Sequence, residues 1–409
     1  MQNLLTKKNL IIAVVSILII VGIIIFFARK NGDNENSNSG GFFGLFPASE
    51  EPSVTAPSET PASSAGESDV SASGVFQTQS TSTPPIGTMF RITDNAVSSL
   101  VGTKSGNIRY HKNTPENIGH LFERSAEGKS EEKRLSNFTI PQITKVVWSP
   151  DATRALIFYN LDGEIRKILI DYRSTSTPKT NFLPDGILDA AFSPDSKSIA
   201  YINSENGVFI ATSDFKSPKK ITNSEVSNPE ISWPSPNFLS LKTKSSYASR
   251  GYLYKMDIRT ETLEKIAEGL GLDAVWSGDG LGVLYSTVNS AGEMQNLIYL
   301  NTKTGEKKEI LIKTVAEKCA FLNSIKTVAY CGVPKLDSNV LSQKYPDSWW
   351  QGRTSFIDDF WLFDVATNQL ASFIATSFDV INPKLMSDDS YLIFQDKISG
   401  SLWSLKLKI

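Results

Sequence analysis

Val146-Val147-Trp148-Ser149-Pro150-Asp151 leads into Ala155-Leu156-Ile157-Phe158-Tyr159: an apolar strand, a tight turn and a second apolar strand. The same order returns at Ala190-Ala191-Phe192-Ser193-Pro194-Asp195 before Ser198-Ile199-Ala200-Tyr201-Ile202, and at Ala274-Val275-Trp276-Ser277-Gly278-Asp279-Gly280 before Val283-Leu284-Tyr285. Looser copies stand at Ile231-Ser232-Trp233-Pro234, at Cys319-Ala320-Phe321 and at Pro383-Lys384-Leu385-Met386-Ser387-Asp388-Asp389. Proline presets φ for the turn, and the Asp carboxylate takes hydrogen bonds from backbone N–H groups just ahead. The chain therefore repeats one supersecondary unit, which cannot bury its apolar face alone and must stack on its neighbours.

The marker residues lie at 148, 192, 233, 276, 321 and 385, in steps of 44, 41, 43, 45 and 64 residues. Several short strands in a period of about 40–45 residues predict a β-propeller. The long last step is an insertion between Cys331 and Phe356. In the unit around Phe192 the strands are predicted at Asp189–Phe192, Ile199–Asn203, Gly207–Thr212 and Lys220–Thr222. The first is apolar on both faces, as expected near the centre, and later strands grow more polar toward the rim. A unit without the turn motif precedes the first marker, at Ala96–Val101, Asn107–His111, Ile118–Phe122 and Lys133–Leu135. The C-terminal unit supplies Ile381–Met386, Tyr391–Gln395 and Leu402–Ile409 and lacks an outer strand. Arg91-Ile92-Thr93-Asp94 resembles the outer strands Arg134-Leu135-Ser136-Asn137 and Lys220-Ile221-Thr222-Asn223. Phe90–Thr93 is therefore predicted to complete the last unit and close the ring, which removes an exposed edge. The expected fold is all-β: a propeller of seven four-stranded blades.

Trp148-Ser149-Pro150-Asp151 and Phe192-Ser193-Pro194-Asp195 resemble the TolB-type propeller repeat, a relative of the WD-repeat class, across residues 90–409. Trp276-Ser277-Gly278-Asp279-Gly280 matches it in part; Trp233-Pro234-Ser235-Pro236-Asn237 and Phe321-Leu322-Asn323-Ser324 depart from it. The resemblance implies a closed propeller that binds partners in the cell envelope. TolB proteins carry an α/β domain before the propeller, where this chain has other material.

Leu10 to Ala28 is an apolar run interrupted only by Ser16 and Gly22, long enough to cross a hydrocarbon core as a helix. A cleaved signal would have a shorter apolar region and a small-residue cleavage site. This run exits into Arg29-Lys30, so residues 1–30 read as an uncleaved anchor. Lys7 and Lys8 with the amino terminus outweigh Arg29 and Lys30 narrowly, which puts the N-terminus in the cytoplasm and the bulk outside. Residues 31–89 are rich in Ser, Thr, Pro, Gly and Glu, hold seven acids and no Lys or Arg, and read as a disordered linker. Its r.m.s. reach is about 40–45 Å. Gly41-Phe42-Phe43-Gly44-Leu45-Phe46-Pro47 inside it is read as dipping into the membrane interface rather than as a docking peptide. The chain holds 41 basic and 43 acidic residues, and its repeat domain is balanced, without the clustered positive charge of a nucleic-acid binder.

Cys319 and Cys331 are the only cysteines. Antiparallel pairing about a turn near Asn323–Lys326 sets them opposite each other, a disulfide in an oxidising compartment and a pair of buried thiols otherwise. The two histidines, His111 and His120, flank a short turn and give too few ligands for a metal site. In the insertion, Tyr345, Asp347, Trp349, Trp350 and Arg353 have the composition of a binding hot spot, against the simpler reading that the loop folds back on its blade. No Gly-x-Ser-x-Gly elbow occurs, and two histidines make a Ser-His-Asp triad improbable. No cofactor, metal or catalytic residue is assigned. The expected function is a membrane-anchored, extracytoplasmic module that binds or scaffolds an envelope protein. The alternative is a carbohydrate-binding or glycan-active propeller enzyme, with cell-wall glycan as its partner and acids at its central mouth.

Overall fold

The computed structural model describes residues 84–174 and 178–408. The predicted anchor at Leu10–Ala28, the linker and the Gly41–Pro47 patch lie outside the described residues. Among the described residues no helix is long and apolar enough to cross a membrane.

The described chain is nearly all antiparallel sheet: five sheets of four strands and one of seven. The seven-stranded sheet is two repeat units fused through Leu263–Trp276, which pairs with Arg250–Asp257 over its first half and with Gly282–Val288 over its second. A bulge between Leu270 and Asp273 marks the change of unit. The inner strands are Val97–Gly102, Ile143–Trp148, Ile187–Phe192, Glu230–Ser235, the second half of Leu263–Trp276, Cys319–Phe321 and Val380–Leu385. Each opens a hairpin, and each unit ends in a more solvated outer strand, such as the wholly exposed Lys179–Phe182. Strand positions follow the sequence reading within three residues, the largest shift being Leu121–Ser125 where Ile118–Phe122 was expected. One detail differs: the inner strands are not apolar on both faces, because Thr144, Lys145, Ser232, Asn382 and Lys384 are exposed.

Burial joins the units into a ring. Trp148, Ile157 and Tyr172 pack with Val101 and Leu121 of the unit before them. Phe192 and Tyr201 pack on Leu156 and Leu169, and Leu239 and Met256 on Ala200 and Val208. Further clusters join Leu253 to Val283, Leu284 to Phe363, and Phe360 to Leu392. The last cluster puts Met386, Ile393 and Leu402 against Val97, Ile108 and Tyr110, so the final unit packs on the first. A sheet apolar on both faces is buried only when another unit stands on each side, and a closed ring supplies that everywhere. The chain ends are fastened by strand pairing. Met89, Phe90 and Arg91 pair with Leu405, Ser404 and Trp403, completing the sheet that Val380–Leu385, Tyr391–Asp396 and Leu402–Lys406 leave one strand short.

Candidate functional site

Two rims follow from this winding, one carrying the tight turns and the other the starts of the inner strands. On the turn rim the repeat motif is structural. Ser149 Oγ donates to Asp151 at 2.5 Å and accepts from the Arg154 N–H at 2.9 Å. Ser193 with Asp195 and Ser198, and Ser277 with Asp279 and Gly282, repeat both bonds. Asp151, Asp195 and Asp279 then accept the N–H two residues on. The Ser193 hydroxyl and the Lys197 N–H hold Asp195 below its ordinary carboxylate pKa. The residue after each Asp is left-handed: Ala152, Ser196 and Gly280, with Asp389 in the last unit. That position touches the preceding unit. Ser196 Oγ accepts the Asp151 N–H at 3.1 Å, and Asp389 accepts the N–H groups of Asn323 and Ser324 at 2.8 Å. Pro150 and Pro194 preset the same turn.

On the other rim, charged side chains lie three residues before the markers: Lys145, Asp189, Glu230, Asp273 and Lys318. Buried Asp189 accepts Lys145 Nζ at 2.6 Å and, from the next inner strand, the Ile231 N–H at 3.1 Å. Buried Asp273 accepts Lys242 Nζ at 3.0 Å and the Glu317 N–H at 2.8 Å. These carboxylates latch one unit to the next.

The insertion lies across this rim as a strap. It forms two one-turn helices, Ser338–Leu341 and Asp347–Trp350. Tyr345 is buried; its N–H donates to Gly292 O at 2.9 Å and its hydroxyl to Val340 O at 2.8 Å. Asp347 accepts Ser246 Oγ at 3.0 Å and the Tyr247 N–H at 2.7 Å. Trp349 is fully buried and its Nε1 donates to Asp379 at 2.9 Å. Lys318, also fully buried, stands 4.6 Å from the ring centroids of both Trp349 and Phe356 and reaches Asp358 at 2.5 Å and Asp379 at 2.8 Å. The residues named for the binding loop divide into two groups. Tyr345, Asp347 and Trp349 fix the strap, because a fully desolvated indole with a paired N–H has no face left for a partner. Trp350, 52% exposed, and Arg353 remain on the surface.

Between strap and inner strands opens a cleft of about 360 Å³. Glu230, Lys242, Asp273 and Glu317 wall it from the ring; Trp350 and Gln351 wall it from the strap. Burial alone would lower the pKa of Lys242, but Asp273 and Glu230, at 3.0 and 2.8 Å, hold the ammonium above its usual value. Glu317 behaves oppositely. Burial, and then the Asp273 charge, push its pKa well above the carboxylate range against the weaker pull of Lys242 and Lys318. A carboxyl in that state donates a hydrogen bond where its neighbours accept. Sequence reading missed Glu230, Lys242, Asp273 and Glu317; the recurrence of charge three residues before the markers was the available signal for Glu230 and Asp273, and it does not extend to Lys242 or Glu317.

The remaining candidates are structural. Cys319 pairs with Cys331 in register and the two form a disulfide within one hairpin. His111 is buried, hydrogen-bonded to Ser99 Oγ at 2.8 Å and Tyr172 at 3.0 Å, and burial pushes its pKa down to about 3. His120 lies against the Arg134 guanidinium at 2.6 Å instead of facing His111. Among the described residues no group of three or more His, Cys, Asp or Glu is arranged to hold a metal ion.

No protein-family model matches the chain, and no curated protein sequence matches it. Solved structures do. An oligogalacturonate lyase in complex with manganese superposes with a TM-score of 0.52 at 12% identity, covering 78% of this chain and 90% of that one. The β-propeller domain of Cps50 (Swd1) from Myceliophteria thermophila gives 0.51 at 11% identity, covering 78% of this chain and 100% of the other. The fold is thus a β-propeller, shared with an enzyme and with a protein of another kind.

Proposed function

We propose that the chain is a membrane-anchored, seven-bladed propeller on the extracytoplasmic side of the cell envelope, and that it works as a binding and scaffolding module whose target is received at the strapped mouth. The strap is the observation that carries this reading. Among the described residues it is the one large departure from the repeat, it is pinned by Tyr345, Asp347 and Trp349, and it leaves Trp350 as an exposed aromatic on the wall of a cleft. An aromatic anchor beside a few convergent polar groups is the usual make-up of a recognition site. The tether and anchor expected before residue 90 suit a module that reaches for targets near the membrane, and the TolB-type turns suit an envelope protein. The Cys319–Cys331 bond is consistent with an oxidising location. A second, glycan-active reading is favoured by Glu317, a carboxyl held toward its protonated form beside the Lys242-paired Asp273. One proton-bearing and one charge-paired acid is the division of labour in glycoside cleavage.

Site-specific photocrosslinking in intact cells tests the binding reading. With the crosslinker at Gln351, on the cleft, adducts are expected. With it at Leu281, exposed on the turn rim, none are. Adducts from 281 alone, or from neither, refute it. Shortened glycans released by the purified protein, and lost in Glu317→Ala, would replace it with the enzymatic reading.

A further inference from the structure

We propose that the strapped cleft binds a neutral saccharide, with the Trp350 ring as the stacking surface and Glu317 as a hydrogen-bond donor to a sugar oxygen. This rests on the reading of the mouth as the binding site and names the chemistry of its target. Three observations combine. The cleft, about 360 Å³, is about the size of one or two sugar rings, and Trp350, which lines it, is 52% exposed. An exposed indole on a rigid support offers a flat apolar face, and Trp350 is held rigidly because its neighbour Trp349 is fully buried and hydrogen-bonded. The polar groups around it mix donors and acceptors: Glu230 accepts, Lys244 donates and the Gln351 amide does both. Sugar hydroxyls both donate and accept, so such a wall suits them.

Charge separates this ligand from its competitors. Lys242 is occupied by Asp273 and Glu230, and Asp347 by Ser246 and Tyr247. Glu317 makes no hydrogen bond or ion pair through its side chain among the described residues, although Asp273, Glu230, Lys242 and Lys318 all act on it. Burial and Asp273 favour its protonated form, so a neutral acceptor meets a donor there without any change of charge. Lys242 and Lys244 offset only two of the three carboxylates of Glu230, Asp273 and Asp347 on this wall, so a polyanionic sugar would meet net negative charge and be repelled. A cationic peptide would have to strip the Glu317 proton on entry.

The test is titration calorimetry of the full-length chain in detergent with three probes: chitohexaose, a galacturonate hexamer and pentalysine. The expected result is binding of chitohexaose only. Trp350→Ala should weaken it roughly tenfold. Glu317→Ala should weaken it similarly and Glu317→Gln should restore it, because the amide donates as the protonated acid does. Wild-type affinity should fall as pH rises and Glu317 ionises, and Glu317→Gln should remove that dependence. Pentalysine binding with proton uptake by the buffer would overturn the proposal in favour of a cationic ligand. Galacturonate binding, or no binding of chitohexaose, would overturn it outright. Failure here with crosslinks still mapping to Gln351 would leave the mouth as the binding site and remove only its saccharide ligand.

Discussion

Acidification should stabilise this propeller in part through Asp358, a contribution that a single substitution can separate from that of Glu317. The Asp358 carboxyl is 0% exposed; Oδ2 accepts Lys318 Nζ at 2.5 Å and the Val380 N–H at 2.7 Å, while Oδ1 has no partner. Burial, with a further push from Asp379, raises its pKa from 3.8 to about 6, opposed by Lys318 and by the Val380 N–H. The folded state thus binds the proton more tightly than the unfolded chain, and stability rises as pH falls through the folded value. The full difference of about two pKa units corresponds to roughly 3 kcal/mol, reached only below the unfolded pKa. Between pH 7.5 and pH 5 the gain is roughly 1.4 kcal/mol, because at pH 5 the folded carboxyl is mostly protonated and the unfolded one mostly is not. Urea unfolding of the full-length chain, followed by tryptophan fluorescence across that range, measures it. Asp358→Asn is the reference: the amide oxygen can still accept from Val380 and cannot titrate. Subtracting the variant's pH trend removes other carboxylates, such as Asp195 and Asp214, whose depressed values act in the opposite direction at lower pH. A wild-type minus variant difference that is flat from pH 7.5 to 5, or that falls on acidification, refutes the reasoning.

Three further outcomes follow from packing. Trp349→Ala should lose about 3–5 kcal/mol in urea unfolding and open residues 335–357 to limited proteolysis, whereas Trp350→Ala should stay within about 0.5 kcal/mol of wild type. Gly280→Ala should destabilise by about 2 kcal/mol or more, since φ is +71° and a Cβ would stand 2.7 Å from Ser235 Cβ and 2.9 Å from the Phe238 ring; denaturant midpoints check it. Reduction of Cys319–Cys331, which spans 12 residues, should lower stability by about 3 kcal/mol, and Cys331→Ser should remove the response to reductant.

The repeat was readable because one local geometry recurs at the inner turns of four units. Ser-Pro-Asp and its variants are what a turn with a capping hydroxyl, a preset φ and a left-handed fourth residue requires. Ring closure was readable for a similar reason: the last unit was a strand short, and a matching strand stood near residue 90. The cleft was not readable, because Lys145, Asp189, Glu230, Asp273 and Lys318 each look like ordinary solvated charges until the ring brings their strand starts together. The Trp349–Trp350 pair divides between core and solvent for a physical reason too. Adjacent residues on a helical turn point in different directions, so one indole went into the core and the other into solvent.

The two rims are built by opposite rules, and this argues for where function lies. On the turn rim the residue after each Asp is committed to the neighbouring unit, through Ser196 on Asp151, Asp389 on Asn323 and Gly280 against Phe238. Its polar groups are spent on closure, and Leu281 and Ile325 stand exposed there. On the strand-start rim the latching acids Asp189 and Asp273 do the same joining with fewer residues. That leaves Glu317 and Glu230 with unspent hydrogen-bonding capacity, and there the one long insertion is anchored. A strap that served only stability would bury both of its tryptophans. This one buries Trp349 and holds Trp350 at the wall of a polar cleft, and the proposed recognition role rests on that division.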